Sequence, residues 1–296
     1  MDKFRIGTHF RVKRGLLLAP HYARNIGCTI FQIFLGPPDS AIVKTRPIDE
    51  LIKFGEELEK YDVVVVIHGN YTINLAQPHD SARYRTSMKS LIKDLDATSY
   101  IGDRCLGVII HMGKNISENN LTYQQGMDNY IQGLKNALHT SPKNTVIILE
   151  TGASTGSEVG SKLDDLAEIY WKLDANERKR LKFCIDTCHI WATGYAIDTP
   201  KGVRDFFKEF NDKIGIKKIA CIHFNDSKAP RDSKVDRHAD LGYGFIGTSG
   251  LKEVAKLAFK YKIPLITETP LDAINPKTKK QVTFKEEIDK IKSWAG

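Results

Sequence analysis

The stretch VVVVIHG, residues 63–69, decides the fold class of this chain. Its run of β-branched residues has no polar face, so it predicts a strand covered on both sides, as in a parallel sheet. Seven further segments are nearly as continuous in hydrophobicity: RIGTHF (5–10), CTIFQIF (28–34), LGVIIHMG (106–113), NTVIILET (144–151), LKFCIDT (181–187), KKIACIHFND (217–226) and IPLITET (263–269).

Segments with the helical period separate these strands. In RPIDELIKFGEELEKY (46–61), Pro47 followed by Asp49 and Glu50 is typical of a first helical turn. The same periodicity recurs in 82–102, 120–139, 163–173, 203–214, 249–261 and 284–294. Eight strands alternating with helices predict an α/β fold, a single (β/α)8 TIM barrel spanning residues 1–296 as one domain.

Polar residues end six consecutive predicted strands. In such a barrel the C-terminal strand ends form one rim, where chemistry is concentrated. Imidazoles and carboxylates buried together at one rim are costly unless they are paired or bind a metal. The strand-end residues are His68, His111, Glu150, Asp186, His223 and Glu268.

Two adjoining segments extend this set. His189 follows Asp186 closely, and Asp236 and His238 share one face of an extended segment. The total of nine nitrogen or oxygen donors exceeds what one tetrahedral or octahedral ion takes, so the set suits two or three ions with bridging.

The cysteines do not suggest a zinc–sulfur or redox site. Cys184 and Cys188 are separated by three residues rather than two, and no second pair completes a four-sulfur site. We expect the five cysteines to be reduced, and most of them to be buried packing residues of an intracellular protein.

The formal net charge of +8 suits a polyanionic partner, although a lysine-rich solvated surface would give the same value. No window approaches eighteen apolar residues, so no membrane association is predicted. The N-terminus MDKFRIGTHF is unlike a signal peptide. We expect an intracellular location: the cytoplasm or nucleoid, or the nucleus or a viral factory if the source is eukaryotic or viral.

Several motifs occur together in one order along nearly the whole chain. The more specific ones are CIDTCHIWATGY (184–195) and VDRHADLG (235–242). The others are GTH (7–9), HGNYTINL (68–75), IIHMG (109–113), ILET (148–151), HFNDSK (223–228), GFIG (244–247) and PLITET (264–269). In these motifs the chain resembles endonuclease IV, the family of metal-dependent apurinic/apyrimidinic (AP) endonucleases of base-excision repair.

The resemblance implies a trinuclear zinc site, with Mn²⁺ admissible at one position. It assigns the first ion to His68 and His111, with Glu150 bridging to the second. The second ion is completed by Asp186, His223 and Glu268, and the third is held by His189, Asp236 and His238.

The implied reaction is hydrolysis of the DNA backbone 5′ to an abasic site, which leaves a 3′-hydroxyl and a 5′-deoxyribose phosphate. Glu150, Asp186 and Glu268 would be the catalytic carboxylates. Trimming of 3′ ends is an expected accessory activity. The partner would be double-stranded DNA that contains abasic sites, and the family suggests a monomer.

Candidate DNA contacts follow from the same resemblance and from charge. Tyr71 stands where the family places an aromatic residue near the lesion, and His9 ends the first strand, where it would contact a phosphate or support a ligand. Four basic residues between His223 and His238 could hold phosphates without reading sequence: Lys228, Arg231, Lys234 and Arg237.

The chain departs from the family pattern in three places. FLGPPDS (34–40) has no arginine where polar and basic residues usually enter the DNA, LGYGFIG (241–247) replaces LGEGNIG, and GYAID (194–198) replaces GYD. None of these changes removes a candidate ligand.

Two other functions compete with a nuclease. A sugar isomerase or epimerase on the same barrel also uses carboxylates and histidines, but needs neither the additional His189, Asp236 and His238 set nor a basic charge balance. A non-catalytic DNA-binding module would explain the charge but not the convergent ligands. Metal stoichiometry separates the first alternative, since about three zinc ions favour the nuclease and one manganese or magnesium ion favours the isomerase.

Overall fold

The predicted barrel is confirmed by the computed structural model, which describes residues 3–12, 15–40, 43–115 and 121–295. Its parallel strands are β1 (Ile6–His9), β2 (Ile30–Ile33), β3 (Val64–His68), β4 (Cys105–Ile110), β5 (Ile147–Glu150), β6 (Leu181–Asp186), β7 (Ile219–His223) and β10 (Leu265–Thr267). They close into a barrel in the order β1-β10-β7-β6-β5-β4-β3-β2. An antiparallel pair, β8 (Asp226–Ser227) and β9 (His238–Ala239), lies outside the barrel.

Helices follow the strands around the outside of the barrel. They are α1 (Ala19–Asn25), α2 (Ile48–Lys60), α3 (Ala82–Ile101), α4 (Tyr123–Thr140), α5 (Leu163–Lys172), α6 (Ala175–Lys179), α7 (Thr187–Ala192), α8 (Pro200–Lys213), α9 (Gly247–Tyr261) and α10 (Phe284–Ala295). Among the described residues no helix has the length and apolarity that a membrane crossing needs.

Local sequence explains where the longer helices begin. Ser81 accepts a hydrogen bond from the Tyr84 amide at the start of α3, and Thr122 forms a capping box with Gln125 at the start of α4. The apolar faces of the helices pack on the outer side of the strands, and this packing makes up the main core.

A second, smaller core contains side chains from several strands of the barrel, among them Val66, Ile109, Ile148 and Ile266. Cys184 and Cys221 belong to this cluster. All five cysteines are free thiols, and all except Cys105 are buried, as expected.

Register brings the polar strand ends side by side. Asp186 on β6 is directly opposite His223 on β7, and His223 is opposite Ile266, two residues before Glu268. His68 on β3 pairs with Ile109, two residues before His111. The six strand-end residues therefore lie at the same mouth of the barrel.

Some local predictions were wrong. The strand expected over 217–226 ends at His223, because Asp226 turns out to pair with β9. Helix α7 was not predicted; it begins at Thr187, directly after β6, and the Asp186 carboxylate caps it by accepting a hydrogen bond from the His189 main-chain amide. Helices α1 and α6 were not predicted. Residues 1–2 of the N-terminal segment and residue 120 of a predicted helix lie outside the described residues.

Candidate metal centre

Glu150 lies at the centre of the polar cluster at the barrel mouth. Its Oε2 is 3.3 Å from His68 Nε2 and 3.4 Å from His111 Nδ1. Its Oε1 is 2.9 Å from His223 Nδ1 and 3.5 Å from His189 Nδ1. One buried carboxylate thus faces imidazoles from four different segments of the chain.

The nine predicted side chains form three groups around this carboxylate. In each group the potential ligand atoms all lie within 4.8 Å of one another. The groups are His68, His111 and Glu150; Glu150, Asp186, His223 and Glu268; and His189, Asp236 and His238. The structure brings together the sets that the resemblance implied, with Glu150 shared by two of them, and their role as metal ligands stays a prediction.

Cys188 also lies close to this centre, with its sulfur within 4.8 Å of ligand atoms of Asp186 and His238. Burial raises the pKa of Cys188 to about 12. The thiol therefore keeps its proton at neutral pH, which makes the sulfur a weak ligand beside the carboxylate and the imidazole.

Hydrogen bonds orient the imidazoles. His68, His189 and His238 direct Nδ1 at the main-chain carbonyls of Gly69, Thr151 and Glu268, at 2.8, 2.7 and 3.3 Å. A carbonyl only accepts, so each ring carries its proton on Nδ1 and presents Nε2 to the carboxylates.

Hydrogen bonds to the Asp186 carboxylate position both Asp186 and His189. Asp186 Oδ1 accepts a hydrogen bond from the main-chain amide of His189 at 3.1 Å, and Asp186 Oδ2 accepts one from the side-chain amide of Asn225 at 2.8 Å. The carboxylate therefore orients the helix that carries His189 while Asp186 Oδ2 lies 3.5 Å from His238 Nε2.

The pKa values of two buried imidazoles at the centre shift in opposite directions. Burial lowers the pKa of His111 to about 4. Burial also acts to lower the pKa of His223, but Glu268 and Glu150 outweigh it and raise that pKa to about 10. Burial opposes ionisation of Glu150, yet His111 and His223 hold its pKa well below the ordinary range. The carboxylate charge persists at neutral pH, as a cation site requires.

Buried atoms without hydrogen bonds test whether this centre suits a cation. Within the described residues, Glu150 Oε2, His189 Nε2 and His238 Nε2 are buried and have no hydrogen-bond partner. Such atoms are costly to bury unless something satisfies them. Carboxylate oxygens and imidazole nitrogens are both ligand atoms that Zn²⁺ binds, and these three atoms belong to the three groups. The residues therefore fit metal ions.

Comparison with known proteins identifies the family. The family model described as a xylose isomerase-like TIM barrel matches residues 20–294. An endonuclease 4 of Acanthamoeba polyphaga mimivirus is 62% identical over 98% of this chain and 93% of its own length. The chain belongs to the endonuclease IV family.

A further relative and two solved structures are also similar to this chain. Apurinic-apyrimidinic endonuclease 1 of Saccharomyces cerevisiae is 32% identical over 92% of this chain and 73% of that protein. The crystal structure of endonuclease IV from Thermus thermophilus has a TM-score of 0.79 at 26% identity, with 98% of both chains covered. A D-tagatose 3-epimerase-like structure has a TM-score of 0.69 at 14% identity, which shows a shared fold alone.

A cavity of about 350 Å³ opens above the three groups. Tyr71 lines it, is half exposed, and has its ring 5.1 Å from Phe34 and 5.6 Å from His111. Because it is half exposed at the cavity wall, the Tyr71 ring is available to a ligand that enters the cavity.

The loop that departs from the family pattern is fixed to its neighbour. Asn70 donates its side-chain amide to the carbonyls of Pro37 at 2.8 Å and Ser40 at 2.6 Å, and the Tyr71 amide donates to Pro38 at 2.9 Å. FLGPPDS therefore forms one rim with the segment that carries Tyr71.

The other predicted DNA contacts have partners within the chain. His9 lies between Gln32 and Glu268, with its Nδ1 2.8 Å from Gln32 Nε2. This contact favours a role of His9 in supporting a ligand. Burial lowers the pKa of His9, so the ring is neutral at neutral pH.

The basic loop is partly neutralised by carboxylates. Lys228 pairs with Asp272, and Lys234 pairs with Asp232. Arg231 lies 6.0 Å from the centre of the Trp191 ring, and Arg237 is exposed. The structure brings this loop beside the third group without testing its contact with DNA.

Two buried amides beside the centre were missed from the sequence. Gln32 contacts His9, His223 and Glu268, while Asn225 links Asp186 to the amide of Glu268. Asn225 lies near the end of the predicted strand 217–226, which is the signal that marked the histidines, whereas Gln32 lies inside the apolar segment 28–34, where no such signal marks it.

Proposed function

We propose that this chain is a zinc-dependent AP endonuclease. It hydrolyses the phosphodiester on the 5′ side of an abasic site in duplex DNA and leaves a 3′-hydroxyl and a 5′-deoxyribose phosphate. Trimming of blocked 3′ ends would use the same site. The whole chain acts as one TIM-barrel domain in this proposal.

One observation carries the proposal: nine histidine and carboxylate side chains converge in three neighbouring groups, two of which share Glu150. A sugar isomerase requires one or two ions and would leave the third group unexplained. The similarity to apurinic-apyrimidinic endonuclease 1 of Saccharomyces cerevisiae supports the same choice.

When bound, neighbouring divalent ions promote ionisation of water near neutral pH and neutralise phosphate charge. Glu150 fixes the spacing of the first two positions, because Oε2 faces His68 and His111 while Oε1 faces His223. Asp186 keeps both oxygens oriented through the His189 amide and Asn225.

Glu268 is the carboxylate best placed to orient the attacking water. Its Oε1 accepts a hydrogen bond from the Gln32 side-chain amide at 2.6 Å, and its Oε2 lies 3.1 Å from His223 Nδ1. Glu268 lines the cavity and keeps a partly exposed side chain, so in this proposal its carboxylate both ligates and orients the water.

Abasic DNA fits a site of this kind. Loss of a base removes stacking, so the sugar and its phosphates leave the helix at low cost. Tyr71 at the cavity wall offers a ring to the distorted strand. The net charge of +8 favours binding to phosphates of any sequence.

The experiment uses a duplex with one tetrahydrofuran residue, incubated with the zinc-loaded protein. We expect a single cut on the 5′ side with a 3′-hydroxyl product, which a polymerase can extend. Chelation should abolish the cut, and zinc should restore it.

Two controls separate the alternatives. An undamaged duplex should stay intact, and D-tagatose or D-xylose with Mn²⁺ should not be converted. Sugar conversion without incision would overturn the proposal in favour of an isomerase, and binding without incision would favour a DNA-binding module.

A further inference from the structure

Gln32 connects three side chains of the metal centre. It lies on β2 with none of its surface exposed. Its Oε1 is 2.7 Å from His223 Nε2, while its Nε2 is 2.6 Å from Glu268 Oε1 and 2.8 Å from His9 Nδ1. Every polar atom of this buried amide is therefore engaged by another side chain.

These contacts determine which way the amide faces. Turning it by 180° would point the carbonyl oxygen at the Glu268 carboxylate, where two acceptors would repel each other. Gln32 Nε2 therefore donates to Glu268 and His9, and Gln32 Oε1 accepts the proton on His223 Nε2.

A metal ligand must be a neutral imidazole, and in that state the amide selects the tautomer of His223. With the proton on Nε2, the lone pair is on Nδ1, which lies 2.9 Å from Glu150 Oε1 and 3.1 Å from Glu268 Oε2. Nδ1 is therefore the ring nitrogen that faces the carboxylates of the second group. A neutral His223 would ligate through Nδ1, whereas His68, His189 and His238 present Nε2.

The means of orientation also differs. Carbonyls of the main chain hold His68, His189 and His238, and no substitution removes a carbonyl. His223 depends on a side chain, which a substitution does remove. A hydrogen-bond partner behind a metal ligand is worth about 10- to 100-fold in metal affinity or activity.

We propose that Gln32 is a positioning residue of the second group, which holds the His223 tautomer and Glu268 Oε1 at the same time. This inference rests on the metal-dependent function proposed above. It assigns Gln32 a role without contact to DNA, so its loss should lower kcat and zinc retention and leave the KM for DNA unchanged.

The test compares Gln32→Met with Gln32→Glu. The methionine keeps the volume and removes every hydrogen bond. The glutamate still accepts from His223 Nε2 but places a negative charge against Glu268. The matched control is Gln77→Met, which removes another buried amide, one that donates to the carbonyl of Lys114 at 2.7 Å.

Three measurements are made on each zinc-loaded protein: zinc retained against a graded chelator, steady-state incision of the tetrahydrofuran duplex, and ¹⁵N chemical shifts of the histidine rings. Circular dichroism confirms that each variant is folded. For Gln32→Met we expect one zinc ion to be held about 10- to 100-fold more weakly, a lower kcat and an unchanged KM. Gln32→Glu should keep the Nε2–H shift of His223 and still lose zinc.

A folded Gln32→Met protein that retains zinc like the wild type and keeps the His223 shifts would overturn this inference alone. A wild-type protein that holds no zinc and does not cut would overturn the proposed function as well. Equal losses in Gln32→Met and Gln77→Met would also count against a specific role for Gln32.

Discussion

Two regions of the barrel mouth bury carboxylates in opposite ways. At the centre, Glu150 faces histidines and leaves Oε2 without a hydrogen bond. A short distance along the chain from His223, Asp226 is equally buried, but it accepts main-chain amides from Ser227, Gly242, Gly244, Ile246 and Gly247 at 2.8 to 3.3 Å.

Asp240 and Glu287 resemble Asp226. Asp240 accepts the amides of Leu271 and Ala273, and Glu287 accepts the amide of Leu241 and the hydroxyl of Thr269. These carboxylates hold the segment that follows Glu268, residues 269–273, and the loop at Leu241. Burial of a carboxylate at a strand end therefore does not make it a ligand, because what matters is whether main-chain amides already satisfy its oxygens.

The largest effect should come from Glu150→Gln. Loss of the charge that faces four imidazoles should lower incision by about 10³-fold or more, about 4 kcal/mol in the barrier, and reduce bound zinc below three ions per chain. Single-turnover incision and zinc analysis measure both.

Glu158→Gln is the matched control, since Glu158 lines the same cavity but accepts hydrogen bonds from Thr155 and Ser161 at 3.3 Å. It should keep all its zinc. Full turnover in Glu150→Gln would show that the two regions do not differ as described.

Asp226→Ala should lower stability. It leaves several buried amides without an acceptor, which should cost about 3 kcal/mol of unfolding free energy. Urea unfolding in the presence of chelator measures this cost, and Asp226→Asn should lose less because one acceptor oxygen remains. The folded fraction should still bind zinc at all three groups, and a selective loss of metal would place Asp226 among the ligands.

Asp236→Asn tests the most exposed candidate ligand, whose side chain is 41% accessible. It should remove one zinc ion, that of the third group, and slow incision by about 10²-fold, roughly 2.7 kcal/mol. Zinc titration and kcat of the same preparation give both values. Loss of all ions at once would mean that the three groups are not separable.

The smallest effect is expected from Glu287→Gln. Burial raises the pKa of Glu287 to about 7 from the ordinary 4.5. Because the folded state holds this proton more tightly, the stabilisation is full below about pH 4.5 and is lost as the pH rises to about 7. The wild type should therefore lose about 2 kcal/mol relative to Glu287→Gln between pH 5 and pH 8.

Urea unfolding of both proteins at the two pH values gives the difference. Parallel pH profiles would show that Glu287 keeps an ordinary pKa despite its burial.

The barrel and the nine convergent side chains were predictable because both depend on short-range patterns. Continuous hydrophobicity marks buried parallel strands, and the last residue of each strand must reach the same rim. The partition into three groups came from family resemblance, since spacing does not say which oxygen of Glu150 faces which histidine.

Other features depend on distant contacts and were not predictable. Asp226 and Asp186 look alike in sequence, but Asp226 is satisfied by a loop that begins sixteen residues later, at Gly242. Gln32 sits in an apolar run, and its role follows from its approach to His223, 191 residues away. The pairing of Lys228 with Asp272 likewise joins two loops that no local pattern connects.

The most direct test is an anomalous difference map at the zinc absorption edge, from crystals of protein purified without chelator. We expect three peaks, one within each group, about 2.0 to 2.2 Å from imidazole nitrogens and carboxylate oxygens, with Glu150 touching two of them. A single peak, or peaks away from Glu150, would contradict a metal centre built on that carboxylate.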